Sequence, residues 1–198
     1  VALGAAFAGT ASAQQATQPS PTLDAIRSRG AVVCGISTGV AGFALPDSQG
    51  NWQGLDVDLC RGLAVAIFND PAKLRLVPLS TSTRFTALGS GEIDVLIRVS
   101  TMTMLRDTTL GLRATTPYFY DGHGFMVRAD AGIQRARDLA GATICLQQGT
   151  TNEQITADYF RSINADFRPV VFERADQAVA ALAAGRCDSF GVDAGALA

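Results

Sequence analysis

Two opposite charges and a set of hydroxyls stand where this chain leaves its apolar runs. Arg106 follows Val95–Val99, with Ser100, Thr101 and Thr103 on the way; Gly149, Thr150 and Thr151 follow Thr143–Gln147; Asp193 closes Ser189–Asp193. A guanidinium can hold a carboxylate through two charge-assisted hydrogen bonds, each worth roughly 1.5–3 kcal/mol when sheltered. Free amides at Thr101 and at Thr151, the latter at a helix start, can complete the anion's shell. A carboxylate such as Asp193 takes an ammonium. The set fits the zwitterion of an amino acid. Other chemistries lack their residues. His123, the single histidine, sits among glycines with no carboxylate or nucleophile beside it in sequence, and reads as structural or surface. Glu153 and Glu173 read as helix-start or surface charges. No phosphate loop, nucleophile elbow or metal motif occurs, so neither metal nor cofactor is expected.

For these residues to meet, the apolar runs must be strands of open parallel sheets, whose ligands bind beyond the strand carboxyl ends. The pattern supplies them. Ala31–Ile36, Leu74–Leu79 and Ile93–Val99 read as strands, and Leu55–Phe68 and Thr83–Leu88 as the helices between them. In the longer helix the apolar residues at 55, 59, 63 and 67, with Cys60, Ala64 and Phe68, predict the buried face. Residues 39–51 read as loop. After Pro117–Val127, an extended stretch suited to crossing between lobes, the pattern restarts. It gives a helical turn at Ala136–Leu139, strands at Thr143–Gln147, Phe167–Phe172 and Ser189–Asp193, and helices at Asn152–Arg161 and Asp176–Ala184.

One octapeptide makes the duplication explicit: A-L-x-x-G-x-x-D spans Ala87–Asp94 and returns at Ala181–Asp188. In each copy a short helix runs out at a glycine and a β-rich run follows. The expected fold class is therefore α/β, with two similar lobes facing across a cleft. Lobe 1 is read at 22–120, a first crossover at 121–128 and lobe 2 at 129–198.

At 47% hydrophobic and 17% charged, with a formal net charge of −2, the 198-residue chain is an ordinary globular composition without the basic surplus that nucleic acid requires. Val1–Gly9 is apolar and too short to span a bilayer, and Ala11-Ser12-Ala13 is a small-x-small cleavage pattern. Residues 1–13 therefore read as the remnant of a signal peptide and 14–21 as a flexible lead. Cys34, Cys60, Cys145 and Cys187 fall two to each lobe with no C-x-x-C spacing. In an exported protein an even count suggests disulfides, and the within-lobe pairing is Cys34 with Cys60 and Cys145 with Cys187. Two other connectivities, and buried thiols, stay open.

A resemblance makes these readings specific. Gly54-Leu55-Asp56-Val57-Asp58-Leu59, Phe85-x-Ala87-Leu88-x-x-Gly91-x-Ile93-Asp94, Thr101-x-Thr103-x-x-Arg106-Asp107, Gln148-Gly149-Thr150-Thr151 and Gly185-Arg186-x-Asp188 resemble the bacterial extracellular solute-binding proteins (family 3) of polar amino-acid ABC transporters. Val32–Gly35, Asp58–Arg61, Arg84–Leu88, Tyr120–Val127 and Asp158–Arg161 resemble its general L-amino-acid-binding branch. The resemblance implies a two-lobed periplasmic-binding-protein (Venus-flytrap) fold, truncated here at its C-terminus, since such proteins cross back to lobe 1 and continue with further strands and helices. It implies Arg106 with Thr101 and Thr151 on the substrate α-carboxylate and Asp193 on the α-ammonium. Thr150 belongs to the same candidate set. Arg84 occupies the position of a second arginine in acidic-amino-acid binders, or is surface helix. Val99 replaces a small polar residue, and Ser37 replaces the aspartate of some basic-amino-acid binders, which argues against a lysine or arginine ligand. The resemblance further implies an exported, monomeric, non-enzymatic receptor for a polar or acidic amino acid, delivering it to a membrane permease without inserting in the membrane itself. The competing readings are a periplasmic dehydratase of aromatic amino-acid synthesis and the sensor domain of a membrane receptor.

Overall fold

In the computed structural model the described residues are 20–197, so the proposed signal peptide and most of the lead lie outside them. The first half contains α1 (Pro21–Arg29), β1 (Val32–Ser37), β2 (Leu45–Pro46), β3 (Trp52–Gln53), α2 (Leu55–Phe68), β4 (Leu74–Leu79), α3 (Arg84–Gly89), β5 (Val95–Leu96) and α4 (Met104–Thr109). The second contains β6 (His123–Val127), a 3-10 turn at Ala136–Leu139, β7 (Thr143–Gln147), α5 (Asn152–Ser162), β8 (Arg168–Phe172), α6 (Ala175–Ala183) and β9 (Ser189–Asp193).

The duplicated octapeptide is a latch. In the first copy Gly91 turns the chain in the left-handed region at φ 77°, and the Glu92 amide donates back to the Ala87 carbonyl at 3.0 Å. Asp94 then clamps the edge of β1: its carboxylate accepts from the Val33 amide at 2.7 Å, and its own amide donates to the Val33 carbonyl at 2.9 Å. The second copy repeats each bond. Gly185 turns at φ 70°, the Arg186 amide donates to Ala181 at 2.9 Å, and Asp188 exchanges the same pair with Thr143, at 2.7 and 2.8 Å. Helix stop, return and strand register are thus written in eight residues, and glycine is needed at the stop because a left-handed residue with a Cβ costs about 1–2 kcal/mol.

Two sheets result. The first has the order β4-β1-β5, all parallel; the second is β6-β9-β7-β8, with β7 parallel to β8 and β9. Residues 123–127, expected to be part of a crossover, form an edge strand of the second sheet, antiparallel to β9 with His123 opposite Asp193. The predicted strand at Ile93–Val99 shrinks to Val95–Leu96, because only Cys34 and Gly35 of β1 pair with it. Each sheet is covered on both faces. Cys34, Ile36, Ala44, Val57 and Cys60 pack one side of the first, and Val33, Leu79, Ala87 and Ile93 the other. Cys145, Ala178, Ala181, Leu182, Cys187 and Phe190 form one core of the second, and Leu139, Ile144, Leu146 and Phe160 another. In α2 the buried residues are Asp56, Val57, Cys60 and Ala64, so Cys60 and Ala64 lie buried as expected, while Leu55 and Leu63 face outward and Asp56 and Val57 are buried instead.

Cys34 is bonded to Cys60 and Cys145 to Cys187, Cα to Cα 6.1 and 5.8 Å. Each bridge ties a central strand to the unit packed over it across 26 and 42 residues of sequence, which restricts the unfolded chain by about 3.5 and about 4 kcal/mol in the entropic model. Replacing either pair by serines is expected to lower the thermal midpoint by roughly 7–15 °C, measured by calorimetry. A shift under about 2 °C would deny the bridges a stabilising role.

Candidate functional site

The strand carboxyl ends of both sheets meet, and the predicted Thr101, Thr151, Arg106 and Arg84 make contacts between them. Thr101 Oγ1 lies 2.9 Å from Thr151 Oγ1. Arg106, half-buried, donates from Nη1 to the Thr101 carbonyl at 2.6 Å and from Nη2 to the Gly149 carbonyl at 3.4 Å. Its position is set by α4, whose N-cap is Thr103: the hydroxyl accepts from the Arg106 amide at 3.2 Å. The guanidinium carbon stands 5.0 Å from the centre of the Phe85 ring, a cation–π contact that fixes its plane. Burial lowers the Arg106 pKa, and the Asp193 carboxylate opposes that shift. Asp193 therefore lies within electrostatic reach of Arg106, yet no ion pair joins them among the described residues. Thr150 turns inward, its hydroxyl donating to the Gln147 carbonyl at 2.7 Å, so it shapes the loop.

Asp193 is held by a relay that sequence reasoning missed. Burial pushes its carboxyl pKa upward, with the Asp121 charge adding to the rise; a hydrogen bond from Asn152, His123 and Arg106 oppose it. Asn152 Oδ1, an amide oxygen that can only accept, lies 2.8 Å from His123 Nδ1, so that ring nitrogen is the donor. His123 Nε2 is then left as an acceptor for the Thr156 hydroxyl at 3.0 Å. Burial pushes the His123 pKa below its usual value, which keeps the ring neutral as this network requires. His123 is structural, as expected, but interior to the site. Its pairing with Asn152 joins β6 to the start of α5, a contact no local signal announces.

Arg84 is neither surface helix nor open to solvent, at 2% exposed. It leads α3 and donates to the Thr81 carbonyl and, at 3.0 Å, to the Gly149 carbonyl across the cleft. It stands 4.4 Å from the centre of the Phe85 ring. Burial, then the charges of Arg98 and Arg106, push its pKa down to about 9. A third guanidinium, Arg98, lies 9% exposed and donates to Thr81 Oγ1 at 3.3 Å. Sequence reasoning counted it inside a strand and passed over it. Arg84, Arg98 and Arg106 thus crowd one wall, and among the described residues none has a carboxylate in salt-bridge contact. Such a wall attracts anions. Gln147 Nε2 completes the contacts between the sheets, donating to Thr81 Oγ1 at 3.0 Å.

The family profile of Bacterial extracellular solute-binding proteins, family 3, matches residues 32–186. The chain belongs to this family. It is 49% identical over 193 residues to the general L-amino acid-binding periplasmic protein AapJ of Rhizobium johnstonii, covering 97% of this chain and 55% of that protein. It is 47% identical over 198 residues to the glutamate/glutamine/aspartate/asparagine-binding protein BztA of Rhodobacter capsulatus, covering all of this chain and 56% of that one. The periplasmic binding protein of Brucella ovis solved with glutathione bound superposes with TM-score 0.85 at 48% identity, over 88% of this chain and 55% of the other. The chain spans about half the length of these relatives. The two-lobed fold of the family is the architecture that the two sheets build. Among the described residues no helix is long and apolar enough to cross a membrane, and no group of three or more His, Cys, Asp or Glu is placed to hold a metal.

Proposed function

We propose that this protein is the exported, periplasmic substrate-binding component of an amino-acid ABC transporter, a monomer that encloses one L-amino acid between its lobes and presents the closed form to a membrane permease. The observation that carries the reading is the placement of Arg106 and Asp193 on facing sheet ends, within electrostatic reach and unpaired, with the Thr101–Thr151 contact beside Arg106. Arg106 takes the α-carboxylate with the two threonines, and Asp193 takes the α-ammonium, oriented by Asn152. Arg84 and Arg98 make the remaining wall cationic, which favours a polar or acidic guest. Contacts from both lobes favour closure, as a ligand touching one lobe would not. Binding without turnover is supported by the commitment of both His123 nitrogens to Asn152 and Thr156, which leaves no free base there. Calorimetric titration of the full-length protein with a panel of amino acids tests it. One-to-one binding is expected for L-amino acids with both α groups free, and none for their N-acetylated or C-amidated forms. Equal affinity for the blocked forms would overturn the zwitterion site.

A further inference from the structure

Asp193 is the last residue of β9, and its support changes along the strand. On one side β7 pairs with β9 only at Ser189 and Phe190, so in the sheet Gly191, Val192 and Asp193 pair with β6 alone, His123 standing opposite Asp193. The chain secures that end by carrying the ladder further. The Ala194 amide donates to the Gly122 carbonyl at 2.8 Å. One step beyond, the Asp121 carboxylate takes over from the backbone: it accepts from the Gly195 amide through Oδ1 at 3.0 Å and Oδ2 at 2.9 Å, and Oδ1 also accepts from the Gly122 amide at 2.7 Å. A Cβ at Gly195 would stand 2.8 Å from Asp121 Oδ2 and 3.1 Å from a ring carbon of Phe119, so this close approach needs glycine. Asp121 thus grips the chain two residues past Asp193, and among the described residues no cation is in salt-bridge contact with it.

We propose that Asp121 is a positioning residue of the ammonium site: through the Gly195 amide it holds the end of β9 so that Asp193 faces the guest, and its own negative charge, set beside Asp193, strengthens the pull on the α-ammonium without touching it. The proposal rests on the reading that Asp193 takes the α-ammonium. Two consequences of the Asp121 charge run in opposite directions. A second anion near the site attracts a cation. The same anion makes Asp193 harder to ionise, and Asp193 must be ionised to bind. The groups that act on Asp193 agree: burial raises its pKa, Asp121 adds to the rise, and the Asn152 hydrogen bond, His123 and Arg106 oppose it. Arg98 is the remaining charge within electrostatic reach. Removing the Asp121 charge therefore lowers the Asp193 pKa while it weakens the attraction for the guest. A residue that only braced the fold would change affinity and leave that titration where it was.

The test follows the Kd of alanine for the full-length protein by calorimetry from neutral pH down through the acid-side decline in affinity. Asp121→Asn keeps the shape and an acceptor for the Gly195 amide and removes the charge. Two effects are expected together: affinity at neutral pH weaker by roughly 3- to 10-fold, and the decline moved to lower pH than in the unaltered protein. Asp121→Ser, a second neutral acceptor, should give the same pair. Asp121→Ala removes the acceptor as well and should bind more weakly than Asp121→Asn by roughly another threefold. A loss at neutral pH of less than about 1.5-fold in both Asp121→Asn and Asp121→Ser, or a decline that stays at its pH or moves upward, overturns the electrostatic role. Binding by Asp121→Ala as tight as by Asp121→Asn overturns the positioning role. Either result leaves Asp193 in the site. Full affinity in Asp193→Asn would instead remove Asp193 from the site, and the role of Asp121 would fall with it.

Discussion

Arg106→Ala is expected to raise the Kd of every L-amino acid the protein takes by roughly 100- to 10,000-fold, the loss of two sheltered charge-assisted hydrogen bonds to the α-carboxylate. The effect should be uniform across side chains, since the α-carboxylate is common to all. Among the described residues the Arg106 side chain bonds only two backbone carbonyls and stacks on Phe85, so the variant should melt close to the unaltered protein. That separates a binding loss from a folding loss. Arg106→Lys keeps the charge but not the planar fork and should recover only part of the affinity. Affinity within about threefold of the unaltered protein in Arg106→Ala would remove this residue from the site.

The second large effect is at Asp193. Asp193→Asn removes the charge facing the ammonium while keeping the shape, and a loss of roughly 30- to 3,000-fold is expected. A pH signature accompanies it. In the free protein burial and the neighbouring Asp121 raise the Asp193 pKa, while Asn152, His123 and Arg106 restrain it. Ammonium binding requires the ionised carboxylate. Affinity is therefore flat above the raised pKa and declines as pH falls through it, by up to about tenfold per unit as the proton must be expelled. Alanine is the ligand for this measurement, since its side chain neither titrates nor hydrogen-bonds to a group that does. In Asp193→Asn the decline should vanish; a decline of the same steepness in the variant would assign the titration elsewhere.

Which parts of this arrangement could be read from the sequence follows a physical line. Leu74–Leu79, Thr143–Gln147 and Ser189–Asp193 form strands where the apolar runs place them, because each lies in a sheet covered on both faces. The latch octapeptide was visible because its helix stop and return are local, although the strands that Asp94 and Asp188 clamp are distant in the chain. Arg106 and Asp193 were legible because polar residues after such runs fall on the binding edge. Arg98 was not, since its neighbours Val95–Val99 read as one strand, whereas the chain leaves the sheet after Leu96. The helix Met104–Thr109 gave no periodic signal because none of its residues is buried. The relay of Asn152 and His123 depends on the antiparallel β6–β9 pairing, a long-range choice that nothing adjacent in the chain encodes.

The Gly149 carbonyl accepts from Arg84 at 3.0 Å and from Arg106 at the longer 3.4 Å. An arriving carboxylate competes only for the weaker of these bonds. When Arg106 turns to the guest, Arg84 still holds the same peptide from the opposite lobe, so one bond between the halves persists while the guest's own contacts are added to it.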